Sequence, residues 1–396
     1  MLVEIFLFLI LGMIAGTFTG LIPGIHINMI GGLIVSLSVS LLHSVNTVYL
    51  VVFITSVAIT HTFVDFIPSV FLGCPDTDTE LSILPGHKLL NEGRGYEAVM
   101  LTCYGGIAAA IFLIFIAFPS LSILPKIYDY IRLAIPYILI SISVILIISE
   151  REKFLALLVF AISGILGFIV LNLQDDSSKF LLPLLTGLFG SSTIILSMKN
   201  KVKIPKQIIN VPKIKMKKPL FGAFIASPIC SFLPGVGSGQ AAIIGNMISR
   251  TDERGFLVLL GSTNTLVMGF SFISLYAISK TRTGAAAALQ SLLGSINSNI
   301  LVLIMIITSI SSVGSFIITK TITKRIVRKF EKINYFRISL LTLIFLAIVT
   351  FLISGFLGII ILIVSTLTGG YCISLNVRRT NMMACLLVPT ILLYLI

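Results

Sequence analysis

Long uninterrupted apolar runs constrain this chain more than any other feature. Ala98 to Leu124, Phe154 to Leu171 and Ile338 to Ile353 each approach or exceed the ~20 residues that cross a ~30 Å hydrocarbon core. Such runs follow one another along all 396 residues with short connections, and no stretch is left over for a soluble domain. Only 11% of the residues are charged, where soluble domains carry roughly 25%. In lipid every backbone N–H and C=O needs a partner inside the protein, and a helix supplies that along its own length. The sequence therefore predicts an all-α polytopic membrane protein.

The formal net charge of +13 would suit nucleic acid, but the Lys and Arg residues sit in short loops between apolar spans. That distribution is the positive-inside pattern of membrane proteins. The first 22 residues carry Glu4 and no basic leader and run directly into Pro23-Gly24, so they read as the first span and not as a cleaved signal. The cysteines at 74, 103, 230, 372 and 385 are dispersed and odd in number, which is neither a disulfide framework nor a metal pair.

Reading spans from the N-terminus gives seven apolar segments, near 2–22, 25–42, 47–72, 98–124, 132–149, 153–172 and 180–198. A basic linker covers 199–218, and seven more segments follow near 220–233, 236–249, 255–279, 284–318, 338–355, 356–375 and 381–396. Three local matches recur in the same order. Gly20-Leu21-Ile22-Pro23-Gly24-Ile25 faces Ser231-Phe232-Leu233-Pro234-Gly235-Val236, Thr60-His61-Thr62 faces Thr263-Asn264-Thr265, and Val170-Leu171-Asn172 faces Ser374-Leu375-Asn376. The chain thus reads as a first membrane repeat over 1–198, a cytoplasmic linker over 199–218 and a second repeat over 219–396.

An odd number of crossings per unit inverts the second copy relative to the first. With the linker inside, 23 of the 28 Lys and Arg residues fall in inside loops, which fixes the orientation. Inverted-topology repeats are a recurrent architecture of secondary transporters.

Pro lacks a backbone N–H and Gly exposes the backbone, so Pro23-Gly24 and Pro234-Gly235 break helices at equivalent places in the two halves. The freed backbone groups must line a cavity or be buried in protein. Each helix that starts after a break presents N–H groups and partial positive charge, a setting for an anion. His26, Asn28 and Ser238 would add side-chain contacts, and Gly237 would permit close approach of the backbone. The bland alternative is a packing kink with small residues for helix contact.

A second constellation starts with His61 and Asp65, four residues apart and so on one helix face of an otherwise apolar span. An ionisable group there costs at least about 2.5 kcal/mol to insert, which points to proton or cation coupling, or else to a hydrogen-bonded pair near the membrane surface that stabilises packing. It continues into Asp76, Asp78 and Glu80, whose counterpart in the second half is the basic stretch around Lys280 and Arg282. Asp78 or Glu80 against Arg282 would make a gate pair or an anion clamp, with Arg94 as a further gate or anion-binding residue. The acidic loop also reads as solvated surface. The linker, with Pro205, Pro212 and Pro219, reads as an extended connector near anionic headgroups.

Enzyme motifs of the HExxH, GxSxG and Walker types do not occur in the sequence. No cofactor or resident metal is expected beyond a coupling Na⁺ or H⁺, and an intramembrane enzyme built on the His and Asp residues is the reading from a different class.

Gly16-Thr17-Phe18-Thr19-Gly20-Leu21-Ile22-Pro23-Gly24 and Phe232-Leu233-Pro234-Gly235-Val236-Gly237 resemble the two signatures of the TctA family, the large membrane subunit of tripartite tricarboxylate transporters. The stretch from Leu72 through Pro75, Leu84 to Leu90 and Glu92-Gly93-Arg94-Gly95 is similar to the loop between those signatures. The first signature departs after Ile25, where His26, Ile27 and Asn28 stand. The resemblance implies a multi-pass cell-membrane importer of an organic anion, working with a small membrane subunit and an extracytoplasmic binding protein. A similar Pro-Gly signature also occurs in proteins that move polyprenyl-phosphate carrier lipids, an alternative substrate that is likewise an anion. On this reading Pro23, Gly24, His26 and Asn28 face Pro234, Gly235, Gly237 and Ser238 across the binding site. Asn264 and Arg282 contribute to it, and His61 and Asp65 carry the coupling.

Overall fold

A computed structural model describes residues 2–22, 45–72, 79–173, 177–199, 205–231, 237–281, 283–330, 335–377 and 379–395. Within these the protein is helical. Helix α1 is Leu2–Leu21, α2 is Thr47–Val64, α3 is Phe66–Leu72 and α4 is Ile83–Asn91. They are followed by α5 (Gly95–Ile148), α6 (Lys153–Leu171), α7 (Leu181–Leu185), a π-helical stretch Thr186–Ser191 and α8 (Ser192–Lys199). The rest comprises α9 (Lys217–Cys230), α10 (Ser238–Ser249), α11 (Glu253–Ile278), α12 (Gly284–Leu293), α13 (Ser298–Phe330), α14 (Tyr335–Ser374) and α15 (Ala384–Leu395).

Seven helical stretches among the described residues are long and apolar enough to cross a membrane: Leu2–Leu21, Thr47–Leu72, Gly95–Lys126, Lys153–Leu171, Glu253–Ile278, Ser298–Arg328 and Ser339–Ser374. Shorter apolar helices such as Pro136–Ile148 and Asn381–Leu395 complete the bundle. The segments expected at 98–124 and 132–149 belong to one helix, because α5 continues through Pro119, Pro125 and Pro136. Those expected at 338–355 and 356–375 are the two arms of α14, which meet at Gly355, whose φ of 64° is open to glycine, and Gly358 lies back against Thr350 beyond the turn.

Two spans form the centre. In both Thr47–Leu72 and Glu253–Ile278, 94% of the most apolar window is buried, against 17% in α1. Helix α1 therefore faces lipid with Phe6, Leu7, Leu11, Ile14 and Phe18, and turns its glycines inward. Gly12, Gly16 and Gly20, one turn apart, lie against Ser56, Thr60 and Val64 of α2. Lipid gives little hydrophobic drive for helix association, so close van der Waals contact along small residues does this work.

The tightest contact joins α5 and α11. A Cβ at Gly261 would run into the Thr102 carbonyl, and one at Gly105 into the Val258 carbonyl. Further along, Gly106 lies against Thr265 and Gly269 against Leu113, so the two helices run parallel. Helix α5 runs antiparallel to α2–α3, with Gly95 against Phe71 and Gly106 against Phe63. Hydroxyl contacts tie α2 to α13: Ser311 donates to Ser56 at 3.1 Å and Ser315 to Thr60 Oγ1 at 2.9 Å. Both pairs have the same sequence separation of 255, the signature of a parallel pair in register.

Residues 205–216 form no helix, as an extended connector would, but they are docked and not free. Gln207 is buried, accepts from Gly95 N at 2.8 Å, and donates to Leu90 O at 2.9 Å and Pro205 O at 2.8 Å. It thereby caps the start of α5 and the end of α4 together. Ile208 N donates to Gly93 O at 2.7 Å, and Gly93 holds φ 78° with the Lys206 carbonyl beside it, a place with no room for a side chain.

Candidate functional site

The polar residues of the two central spans meet where α2 ends. Asp65 caps α2, donating its N–H to His61 O at 3.0 Å, and α3 resumes one residue later. The Asp65 carboxylate faces α11, where Asn264 Nδ2 donates to Asp65 Oδ2 at 3.1 Å and lies 3.4 Å from Thr62 O. His61 Nδ1 lies 3.2 Å from Thr19 Oγ1 on α1. All three side chains are almost wholly enclosed: His61 is 4% exposed, Asp65 3% and Asn264 2%. Around them Thr60, Thr62, Thr263 and Thr265 are buried as well.

His61 and Asn264 occupy equivalent places in the two matched triplets, Thr60-His61-Thr62 and Thr263-Asn264-Thr265. One reaches α1 and the other reaches across to Asp65. The arrangement therefore joins two of the residues singled out from sequence, Asp65 and Asn264, while His61, one turn earlier, meets α1. An enclosed carboxylate held by an amide has the chemistry to exchange a proton or meet a cation while remaining out of water.

Helix α10 begins at Ser238, after Gly237 in extended backbone. Gly237 N donates to Gln240 Oε1 at 2.6 Å, and the first intrahelical bond runs from Ala241 N to Gly237 O at 3.1 Å. Ser238 is fully buried. The helix end thus presents its positive pole inside the protein.

A third cluster joins the starts of α5 and α11. Arg94 Nη2 lies 2.6 Å from Glu97 Oε2, and Arg254 Nε lies 3.2 Å from Glu97 Oε1. Lys88 Nζ donates to Glu253 Oε1 at 2.8 Å, an exposed pair in which the carboxylate holds the ammonium above its ordinary pKa range. Arg94, expected as a gate residue, therefore shares a buried carboxylate with the partner helix. Nothing in the sequence singled out Glu97 or Arg254. An acid in the first turn of an apolar span, with an arginine three residues before it, is the signal that was available.

Pro23, Gly24, His26, Asn28, Asp78, Pro234, Gly235 and Arg282 lie outside the described residues, and only the backbone of Glu80 is described, at the start of the 3₁₀ turn Glu80–Ser82. Among the described residues no group of three or more His, Cys, Asp or Glu side chains is placed to hold a metal ion.

Comparison with known proteins agrees with the membrane architecture. Residues 6–384 match the tripartite tricarboxylate transporter TctA family. The chain is 35% identical over 400 residues, 98% of both chains, to the uncharacterized protein MJ1079 of Methanocaldococcus jannaschii. No solved structure matches it. The chain belongs to the tripartite tricarboxylate transporter TctA family, as the multi-pass membrane subunit of a secondary transporter for carboxylate-type anions.

Proposed function

We propose that the anion crosses between two inverted repeats, and that the crossing of α2–α3 with α11 couples its movement to an ion gradient. The observation that carries this is the reciprocal packing of the helices. Helix α2 of the first half packs parallel on α13 of the second, and α11, the counterpart of α2, packs parallel on α5, the counterpart of α13. The same exchange recurs at the other end of the repeats. Gly164 and Gly167 of α6 pack on Ala384, Cys385 and Val388 of α15, while Gly369 of α14 packs on Leu188 of the π-helical stretch. A two-fold axis in the membrane plane generates such paired exchanges. It also accounts for α2–α3 and α11 running in opposite directions.

In this reading residues 1–198 and 219–396 are the two repeats and 199–218 is the cytoplasmic linker. The Pro-Gly breaks at 23–24 and 234–235, with His26, Asn28, Gly237, Ser238, Asn264 and Arg282, hold the anion. His61 and Asp65 carry the coupling ion, and Arg94, Asp78 and Glu80 gate the cytoplasmic side. Alternating access follows from movement of one part of the molecule against the rest. A small membrane subunit and an extracytoplasmic binding protein would deliver the solute, as the family implies.

The test is uptake of labelled citrate and related carboxylates into proteoliposomes containing the full chain, with and without imposed Na⁺ and proton gradients. Gradient-dependent accumulation is the expected result. Failure with every carboxylate, in vesicles holding folded protein and supplied with the partner subunits, would remove the carboxylate reading.

A further inference from the structure

We propose that Gln240, with Ser227 beside the same helix end, is a ligand of the transported anion, donating through Nε2 to one of its carboxylate oxygens. The inference rests on the anion-permease reading above and names a residue of its binding site.

Gln240 stands at the third position of α10 and is 1% exposed. Its Oε1 is committed to Gly237 N at 2.6 Å, which folds the carboxamide back over the start of the helix. The other end of the amide, Nε2, is enclosed and makes no hydrogen bond to the protein. Nearly all buried donors in proteins are partnered, and in a bilayer water is not the default partner. The donor is therefore held at the positive end of a helix and directed by a bond that the helix itself makes.

Ser227 shows the same feature from the neighbouring helix: it is fully buried, and its Oγ has no hydrogen-bond partner in the protein. Helices α9 and α10 meet at Gly222 and Gly245. Ser227 lies five residues after Gly222 and Gln240 five before Gly245, so in this antiparallel pair both sit about 7.5 Å from that contact toward the same end, each turned about 140° from the contact face.

The chemistry at this end is that of donors. The one acceptor of the Gln240 side chain is occupied, first-turn N–H groups point outward from a helix start, and the described residues of α9 and α10 include no Asp or Glu. A ligand that fits both the Gln240 donor and the positive pole must offer acceptors, which describes a carboxylate.

Gln240→Glu separates this role from a structural one. Glutamate takes the same place in a capping box and accepts the same N–H, and its charge suits the helix start. If Gln240 only caps α10, the variant keeps both its melting temperature and its affinity. If Gln240 binds the anion, the donor is lost and a like charge faces the ligand. The measurement is equilibrium binding of labelled citrate to the purified full-length chain, with thermal unfolding in parallel. We expect wild-type melting and a Kd raised at least about tenfold for Gln240→Glu, and about threefold for Ser227→Ala, whose hydroxyl the protein does not use. Wild-type Kd in a folded Gln240→Glu, or, if that variant does not fold, in Ser227→Ala, would overturn the assignment, as would a wild-type protein that binds no citrate. Binding that depends on Gln240 in a protein that never accumulates citrate would overturn the transport reading and leave this ligand in place.

Discussion

Asn264 reaches from the middle of α11 to the carboxylate of Asp65, 3.1 Å away and 199 residues earlier in the chain. This bond joins the two most buried spans at a place where neither side chain meets bulk water, since both are at most 3% exposed. Anything that alters the charge of Asp65 therefore acts directly on the contact between α2–α3 and α11.

Asn264→Ala removes the amide and leaves the carboxylate with less solvation. Hydrogen bonds inside membranes average about 0.6 kcal/mol and reach about 1.7 kcal/mol in double-mutant cycles. A cycle of Asn264→Ala with Asp65→Asn, read by unfolding in detergent, should give a coupling in that range. A coupling of zero would mean that the two groups do not interact in the folded protein.

Gly261 is irreplaceable for steric reasons. Its position against the Thr102 carbonyl has no free side chain to move aside. Gly261→Leu forces α11 away from α5 and should lower thermal stability by more than the 1–3 kcal/mol or so typical of overpacking. Gly370, with nothing near its Cβ position, is the control and should accept Ala. Equal stability of both variants would contradict the contact.

Glu97 is shared by Arg94 and Arg254, and its side chain is 2% exposed while theirs are 26% and 31% exposed. Breaking a buried ion pair costs about 3–5 kcal/mol, and the partial exposure of the arginines places Glu97→Gln somewhat below that, near 2 kcal/mol. Because the cluster ties α5 to α11, the variant should also speed solvent access from the linker side. Labelling of Cys103, which is buried on α5 six residues after Glu97, compared between the variant and the wild type, measures it; an unchanged labelling rate would sink the gate assignment.

Gln207 makes three hydrogen bonds, two of which anchor the linker to the turn between α4 and α5. Gln207→Ala strands the Gly95 N–H and the Leu90 carbonyl at a cost of about 1–3 kcal/mol. Trypsin should then cleave near Lys213 and Lys215 faster than in the wild type, and an unaltered cleavage rate would show that the docking contributes nothing.

The membrane class and the polar groups of the central spans were legible because they rest on local pattern: apolar run length and short polar strings. His61 and Asp65 stood out as ionisable groups in an apolar span, and Asn264 as the centre of the string Thr263-Asn264-Thr265. That Asn264 bonds to Asp65 was not legible, because it depends on which faces of two distant helices meet. Glu97 and Arg254 resembled ordinary loop-edge charges until packing brought them together. Gln207 was hidden in a basic linker whose composition suggested solvent exposure, although a single glutamine can satisfy two helix ends at once. The long helix α5 defeated the expected division, since each of its prolines removes one donor without ending the helix.

The most direct test of coupling at the α2–α3 and α11 crossing is accumulation of labelled citrate by gradient-loaded proteoliposomes, comparing the wild type with Asp65→Asn. The wild type should concentrate citrate above its external level and lose it when the gradient is collapsed. Asp65→Asn should fall to equilibration, a loss of about tenfold in final accumulation for an imposed gradient worth about 1.4 kcal/mol per citrate moved. An Asp65→Asn protein that accumulates citrate as the wild type does would contradict the account.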